Sequence, residues 1–252
     1  FSNAKDLGKG RQMPVHYGSS DLNFMTISSP LATQIPQAAG YAYGQKLAGK
    51  SACTLCYFGE GAASEGDFHA GLNMAAVLEC PVVFVVRNNG YAISTPSTEQ
   101  FAGDGIAPRG VGYGLKTIRV DGNDILAVYA AAIAARKIAV QEQRPVLIET
   151  MSYRLGAHST SDDPSGYRSA EEEDEWRQKD PIVRMKNWLI NQKWWDESRD
   201  EDLQKNYRKE ILEELKLAEK RPKPPLSDLI TDVYQDTPAH LLEQFESLEK
   251  HV

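Results

Sequence analysis

An α/β fold built on a doubly wound parallel sheet, with a C-terminal helical extension, is predicted by three features of this 252-residue chain. Apolar, strand-like runs alternate with helix-length segments from residue 24 to residue 153, the pattern of a parallel sheet with helical crossovers. Val82–Val86 is continuously β-branched or aromatic, as a strand covered on both faces is. Beyond Ser169 the composition becomes strongly charged and takes on helical spacing. The expected division is an α/β domain over residues 1–169, a helical part packed on it over 170–220, and a linker with a C-terminal tail over 221–252.

The elements follow in order. Phe1–Asn23 is glycine- and lysine-rich and reads as a surface loop, whose basic residues and His16 either stay solvated or approach an anion. Phe24-Met25-Thr26-Ile27 reads as a short strand. Pro30, behind Ser28 and Ser29, suits the start of a helix running to about Lys46; the hydroxyls either cap it or face a cofactor or cation. The next strand ends at Gly59-Glu60-Gly61, and Ser64 with Asp67 resembles a capping box for the helix that follows. The strand Val82–Val86 ends at Arg87-Asn88-Asn89-Gly90-Tyr91. Gln100–Gly114 carries six glycines and prolines and reads as a loop near the site. A strand over Lys116–Asp121, a helix from Asp124 to about Gln143 and a strand over Pro145–Tyr153 complete the sheet.

A long polar loop, Arg154–Ser169, comes directly after that last strand, where active-site loops belong. His158 within it is either incidental or a proton carrier, and the surrounding hydroxyls equally suit ordinary turn capping. Glu171–Glu219 contains all four tryptophans and the amphipathic run ILEELKLAEK. Arg221-Pro222-Lys223-Pro224-Pro225 reads as an extended linker. The apolar residues Leu229, Val233, Tyr234 and Phe245 of the tail suggest packing on another subunit.

Composition narrows the classes of function. A hydrophobic share of 41% supports a sizeable core, and a net charge of -7 argues against a general nucleic-acid surface. The longest apolar runs, such as Ile125–Ala135, fall short of the roughly 20 residues that cross a bilayer. Neither nucleic acid nor membrane is expected as a partner. Cys53 and Cys56 stand three apart on a strand and face opposite ways; with Cys80 they read as buried thiols from a reducing compartment. The chain opens on Phe1 rather than Met with no signal-peptide pattern, so a processed or partial product is expected.

Ligands of open parallel sheets gather beyond the carboxyl ends of the strands. Glu60 and the Asn88-Asn89 pair fall at two such ends, joined by one right-handed crossover. A carboxylate and an amide carbonyl converging there are hard oxygen ligands suited to Mg²⁺ or Ca²⁺, and with Mg²⁺ a phosphate-bearing ligand supplies further oxygens. Arg87 offers a planar fork to a diphosphate. No G-x-x-x-x-G-K-[ST] occurs, and Ser64 stands where a G-x-G-x-x-G fingerprint needs glycine.

At this spacing, Gly59-Glu60-Gly61 followed by Asn88-Asn89 resembles the thiamine diphosphate signature. With SSPLATQIPQAAG, FGEGAASEGD, RNNGYAIST and YRLGAHSTSDD added, almost the whole chain resembles the alpha subunits of the decarboxylase component of thiamine-diphosphate-dependent 2-oxo acid dehydrogenases, the branched-chain branch above all. The resemblance implies a thiamine-diphosphate-binding fold and an oxidoreductase of branched-chain amino acid catabolism. It implies that Glu60, the Asn89 side chain and the Tyr91 main-chain carbonyl hold Mg²⁺, and that Ser29, Leu31, Gly59, Gly61, Ala62, Arg87, Ala92 and Ile93 line the cofactor. Ser28, Pro30, Thr33 and Gln34 match a potassium (K⁺) site. His158 matches the histidine that faces the cofactor and serves proton transfer and acyl passage to a lipoyl group, while Ser159 and Ser169 match phosphorylation sites.

The implied partners are a beta subunit in a heterotetramer of two alpha and two beta chains, a lipoyl-bearing transacylase core, a regulatory kinase and phosphatase, and a branched-chain 2-oxo acid substrate. The implied location is the mitochondrial matrix. Glu60 replaces the commoner Asp, and Ala157 stands where close relatives carry a second histidine, which leaves His158 as the sole candidate base of the loop. The glutamate that activates the thiamine ring is expected on the beta subunit. Three alternatives stay open: a pyruvate- or acetoin-type enzyme, a non-catalytic cofactor-binding subunit, and a dinucleotide-binding oxidoreductase.

Overall fold

The computed structural model describes residues 1–252 and resolves into two units, one of Pro30–Asp196 and one of Phe1–Ser29 with Glu197–Val252. Within Pro30–Asp196 the chain runs α1 (Gln34–Leu47), β1 (Thr54–Gly59), a 3₁₀ turn (Ala62–Ser64), α2 (Gly66–Val77), β2 (Val82–Asn88) and a small hairpin of β3 (Tyr91–Ala92) and β4 (Thr95–Pro96). It continues through α3 (Ser97–Gln100), α4 (Ala107–Gly112), β5 (Lys116–Asp121), α5 (Ile125–Gln141), β6 (Val146–Met151), α6 (Ala170–Arg177) and α7 (Pro181–Asn191). Four strands form one sheet in the order β1-β2-β6-β5, and every pair in it is parallel.

Alternation along the strands sorts the core onto the two faces of this sheet. Val82, Phe84 and Val86 join Phe58, Ile35 of α1 and Phe68 and Leu72 of α2 in one cluster. Val83 joins Val146, Ile148 and the α5 residues Ala135 and Ala139 in the other. Phe58 meets Phe68 and Phe84 edge to face, with ring centroids 5.8 and 6.3 Å apart, a geometry aromatic pairs favour. A Cβ on Gly71 would lie 2.8 Å from the Ile35 side chain, so only glycine lets α2 approach α1 this closely. The doubly wound parallel α/β sheet expected from the sequence is therefore present.

Local expectations fare unevenly. β2, β5 and β6 and the helix after Asp124 lie where the apolar runs place them, and Asp124 caps α5 by accepting from the Leu126 and Ala127 amides. The capping box at Ser64 does not form: Ser64 closes the 3₁₀ turn, and Glu65 precedes α2 without a side-chain cap. Pro30 does not open α1; it sits in a turn, and the helix starts at Gln34. Ala32 in that turn holds a positive φ of 64°, which a helix cannot absorb. Gln100–Gly114 is not all loop, because Ala107–Gly112 coils into α4 despite its glycines. Cys56 and Cys80 are buried, Cys53 is half-buried, and none forms a disulfide; burial pushes the Cys56 thiol up to about 12.

The second unit contains α8 (Glu197–Lys220), α9 (Asp228–Thr231) and α10 (Ala239–Glu249). The N-terminal segment is tied to them: Asn3 Nδ2 donates to the Ala218 carbonyl, the Ala4 amide to the Pro222 carbonyl, and Lys9 and Arg11 pair with Asp232. These bonds make Phe1–Ser29 and the proline-rich stretch part of this unit. The expected strand Phe24–Ile27 is absent; Phe24 makes only an isolated bridge to Ser19. No helix is long and apolar enough to cross a membrane.

Candidate functional site

Parallel pairing in register sets Gly59 opposite Arg87, so the residues leaving β1 and β2 emerge side by side. Glu60 is 1% exposed, and its Oε2 accepts from both the backbone amide (3.1 Å) and the Nδ2 (3.3 Å) of Asn89. Its other oxygen, Oε1, is buried with no partner in the protein. Burial pushes the Glu60 carboxyl above its usual range, against the lowering effects of the Asn89 amide and the Arg154 and Arg87 charges. An unpaired buried carboxylate oxygen costs free energy unless something positive reaches it.

The turn after β2 carries further oxygens of the same chemical kind. Asn89 Oδ1 accepts from the Tyr91 amide at 3.2 Å, which leaves one of its lone pairs free. The Tyr91 carbonyl accepts a long bond from Arg154 Nη1 at 3.4 Å. One carboxylate, one amide oxygen and one peptide carbonyl make a hard set that fits Mg²⁺ completed by ligand oxygens. No group of three His, Cys, Asp or Glu side chains suited to a metal occurs, so a thiolate- or imidazole-rich centre has no counterpart here.

The glycines of the first turn bring the two strand ends close. A Cβ on Gly61 would meet the Ala92 Cβ at 3.0 Å, whereas one on Gly59 would only reach 3.9 Å from the Arg87 carbonyl. Ala62 is buried at the start of the 3₁₀ turn. Ile93 holds a φ of 55°, rare for a β-branched residue, and its carbonyl accepts from Arg154 Nη2 at 2.6 Å. Such strain concentrates where surrounding bonds over-determine a functional turn. Arg87 is exposed at the end of β2.

The loop after β6 is anchored by two arginines rather than by its hydroxyls. Arg154 spans the Tyr91 and Ile93 carbonyls and the Tyr167 hydroxyl. Arg168 is buried, donates to the Arg154 and Gly156 carbonyls, pairs with Glu173 and stacks against Tyr91, Tyr153 and Tyr167. His158 is exposed at the outer turn, and its backbone amide donates to Asp162 Oδ2 at 2.7 Å. Ser159 Oγ lies 3.2 Å from Ser161 Oγ, and Ser169 caps α6 by accepting from the Glu172 amide.

Pro30, Leu31 and Thr33 lie in the turn before α1, and Gln34 opens the helix with its Nε2 donating to the Tyr57 carbonyl. Ser28 and Ser29 belong to the other unit, where Ser29 Oγ meets His16 Nε2. Two residues of the α/β unit escaped the sequence reading. Arg154 was hidden in a polar loop, where one arginine looks like another. Glu149 was hidden in the strand PVLIETM, although a lone acid in an apolar run is itself a signal, since buried acids require partners.

Comparison with known proteins places this geometry. The family described as dehydrogenase E1 component matches residues 1–227. The chain is 57% identical over 253 aligned residues to the mitochondrial 2-oxoisovalerate dehydrogenase subunit alpha of Homo sapiens, covering 100% of this chain and 57% of that protein. It is 56% identical to the corresponding mitochondrial subunit of Dictyostelium discoideum, again over 100% of the chain and 57% of the relative. Against subunit alpha 1 of Arabidopsis thaliana, also mitochondrial, identity is 54%, covering 100% of the chain and 54% of the relative. The chain thus spans about half the length of the curated relatives it matches. By this match over most of its length, the chain belongs to the dehydrogenase E1 component family.

Proposed function

We propose that this chain is the alpha subunit of an enzyme that oxidatively decarboxylates branched-chain 2-oxo acids with thiamine diphosphate and passes the acyl group to a lipoyl arm. The observation that carries the reading is the buried Glu60 carboxylate, which Asn89 holds through Oε2 while Oε1 lacks a protein partner. Family membership and similarity along the whole chain to subunits named for 2-oxoisovalerate support it. Glu60, Asn89 and the Tyr91 carbonyl would hold Mg²⁺; Leu31, Gly59, Gly61, Ala62, Arg87, Ala92 and Ile93 would line the diphosphate end, with Arg87 against phosphate. Bound there, thiamine diphosphate would supply the electron sink for loss of carbon dioxide.

His158, on the exposed loop, would carry a proton at its imidazole. By resemblance, Ser29 joins the cofactor contacts, K⁺ goes to Ser28, Pro30, Thr33 and Gln34, and a kinase and phosphatase act at Ser159 and Ser169. The beta subunit, the transacylase core and the mitochondrial matrix complete the setting. Co-expression with a beta subunit, assayed with thiamine diphosphate and Mg²⁺, tests the proposal. Turnover of 2-oxoisovalerate well above pyruvate is expected; preference for pyruvate would reassign the substrate, and cofactor-independent turnover would end the reading.

A further inference from the structure

We propose that Glu149, in the middle of β6, is a positioning residue for the Mg²⁺-diphosphate site, acting through Asn88; the proposal rests on the cofactor reading above. Glu149 is fully buried, yet its carboxylate gathers four donors from three separate segments. Oε1 accepts from Asn88 Nδ2 at 2.8 Å and from the Ile106 amide at 2.9 Å. Oε2 accepts from the Ala107 amide at 2.8 Å and from Arg119 Nε at 3.0 Å. Arg119, on β5, is itself fixed by Asp104. The loop before α4 comes so close that a Cβ on Gly105 would lie 2.7 Å from Oε1, and Gly105 holds a φ of +70°.

A charge here is costly for a fold that apolar packing alone could satisfy at this depth. What the charge does that packing cannot is fix the Asn88 amide by direction. Held by Glu149, Asn88 turns its Oδ1 to the Gly90 amide at 3.1 Å and so sets the turn that carries Asn89. Asn89 is the residue whose backbone and side chain both reach Glu60. One carboxylate at the sheet's interior therefore sets the turn that brings Asn89 against Glu60.

The test is titration calorimetry of Mg²⁺, at saturating thiamine diphosphate, onto the alpha–beta enzyme. Glu149→Gln and Asn88→Ala are expected to weaken Mg²⁺ binding by about 10- to 100-fold, the usual loss when a group that orients a ligand is removed, and to raise the Mg²⁺ concentration needed for half-activity while kcat at saturation is largely kept. Combining the two is expected to add little, because they act through one bond. Asn88→Ala leaves the other three donors of Glu149 in place, so it reports even where Glu149→Gln fails to fold. Unchanged Mg²⁺ affinity in Asn88→Ala, with activity tracking only the amount of folded enzyme, overturns the proposal alone. Wild-type enzyme that binds neither Mg²⁺ nor thiamine diphosphate overturns the cofactor reading and this inference with it.

Discussion

At the scale of single residues, two buried carboxylates, one just past the end of β1 and one within β6, have opposite electrostatic lives. Burial raises the Glu60 carboxyl, one of whose oxygens has no donor. Burial alone would do the same to Glu149, but Asn88, the Ile106 and Ala107 amides and Arg119 together pull it below its ordinary value. The first acid is built to be completed, the second is already complete. Glu60→Gln is therefore expected to weaken Mg²⁺ binding on the order of 100-fold, at the upper end of losses at metal sites, while leaving the fold intact; calorimetric binding at wild-type strength would remove Glu60 from the ligand set. For Glu149 the consequence is acid sensitivity. A depressed folded value means that its contribution to stability is full above the unfolded value of 4.5 and fades as the pH falls through the lower folded value. Denaturant midpoints measured from pH 7 downward should fall through that acid range, and Glu149→Gln should start lower and show a flatter acid limb. Parallel curves for the two proteins would show that the carboxylate does not titrate with folding.

At the scale of elements, legibility followed burial. β2 and β6 were readable because a strand enclosed on both faces is mostly apolar, and the two cores of the sheet use alternate residues of those very runs. That Glu60 and Asn89 lie side by side was readable, because both stand just beyond the ends of neighbouring parallel strands. Caps and short helices were not, since Ser64 and Pro30 carry signals that several local conformations satisfy equally, and tertiary contacts chose among them. Nor did the local sequence reveal that residues 1–29 pair with the C-terminal helices, because those bonds run from Asn3 and Ala4 to Ala218 and Pro222, across the length of the chain. The loop after β6 lies between these extremes. Its place was evident, but its anchors, Arg154 and Arg168, became apparent only with their carbonyl partners. A phosphate on Ser159 would put negative charge beside His158 and within reach of Asp162, whose carboxylate already holds the turn. Ser159→Ala is accordingly expected to abolish inactivation by the proposed kinase without altering basal turnover, read as residual activity after kinase treatment; inhibition that persists in the variant would remove Ser159 as the proposed switch.

At the scale of the whole molecule, the proposed function makes this chain one side of a shared reaction centre. On that reading it contributes Glu60 and Asn89 at two strand ends, the exposed Arg87 and the exposed His158 on a pinned loop. By resemblance, the carboxylate that activates the thiamine ring comes from the beta subunit, and that division of labour has a measurable form. The chain by itself should show no decarboxylation of 2-oxoisovalerate at any concentration of thiamine diphosphate and Mg²⁺. Titrating in the beta subunit should restore turnover, saturating at one beta per alpha, as a complex of two alpha and two beta chains requires. Turnover by the isolated chain would place the missing acid within it and overturn the shared-site reading, leaving the sheet and its strand-end ligands as they stand.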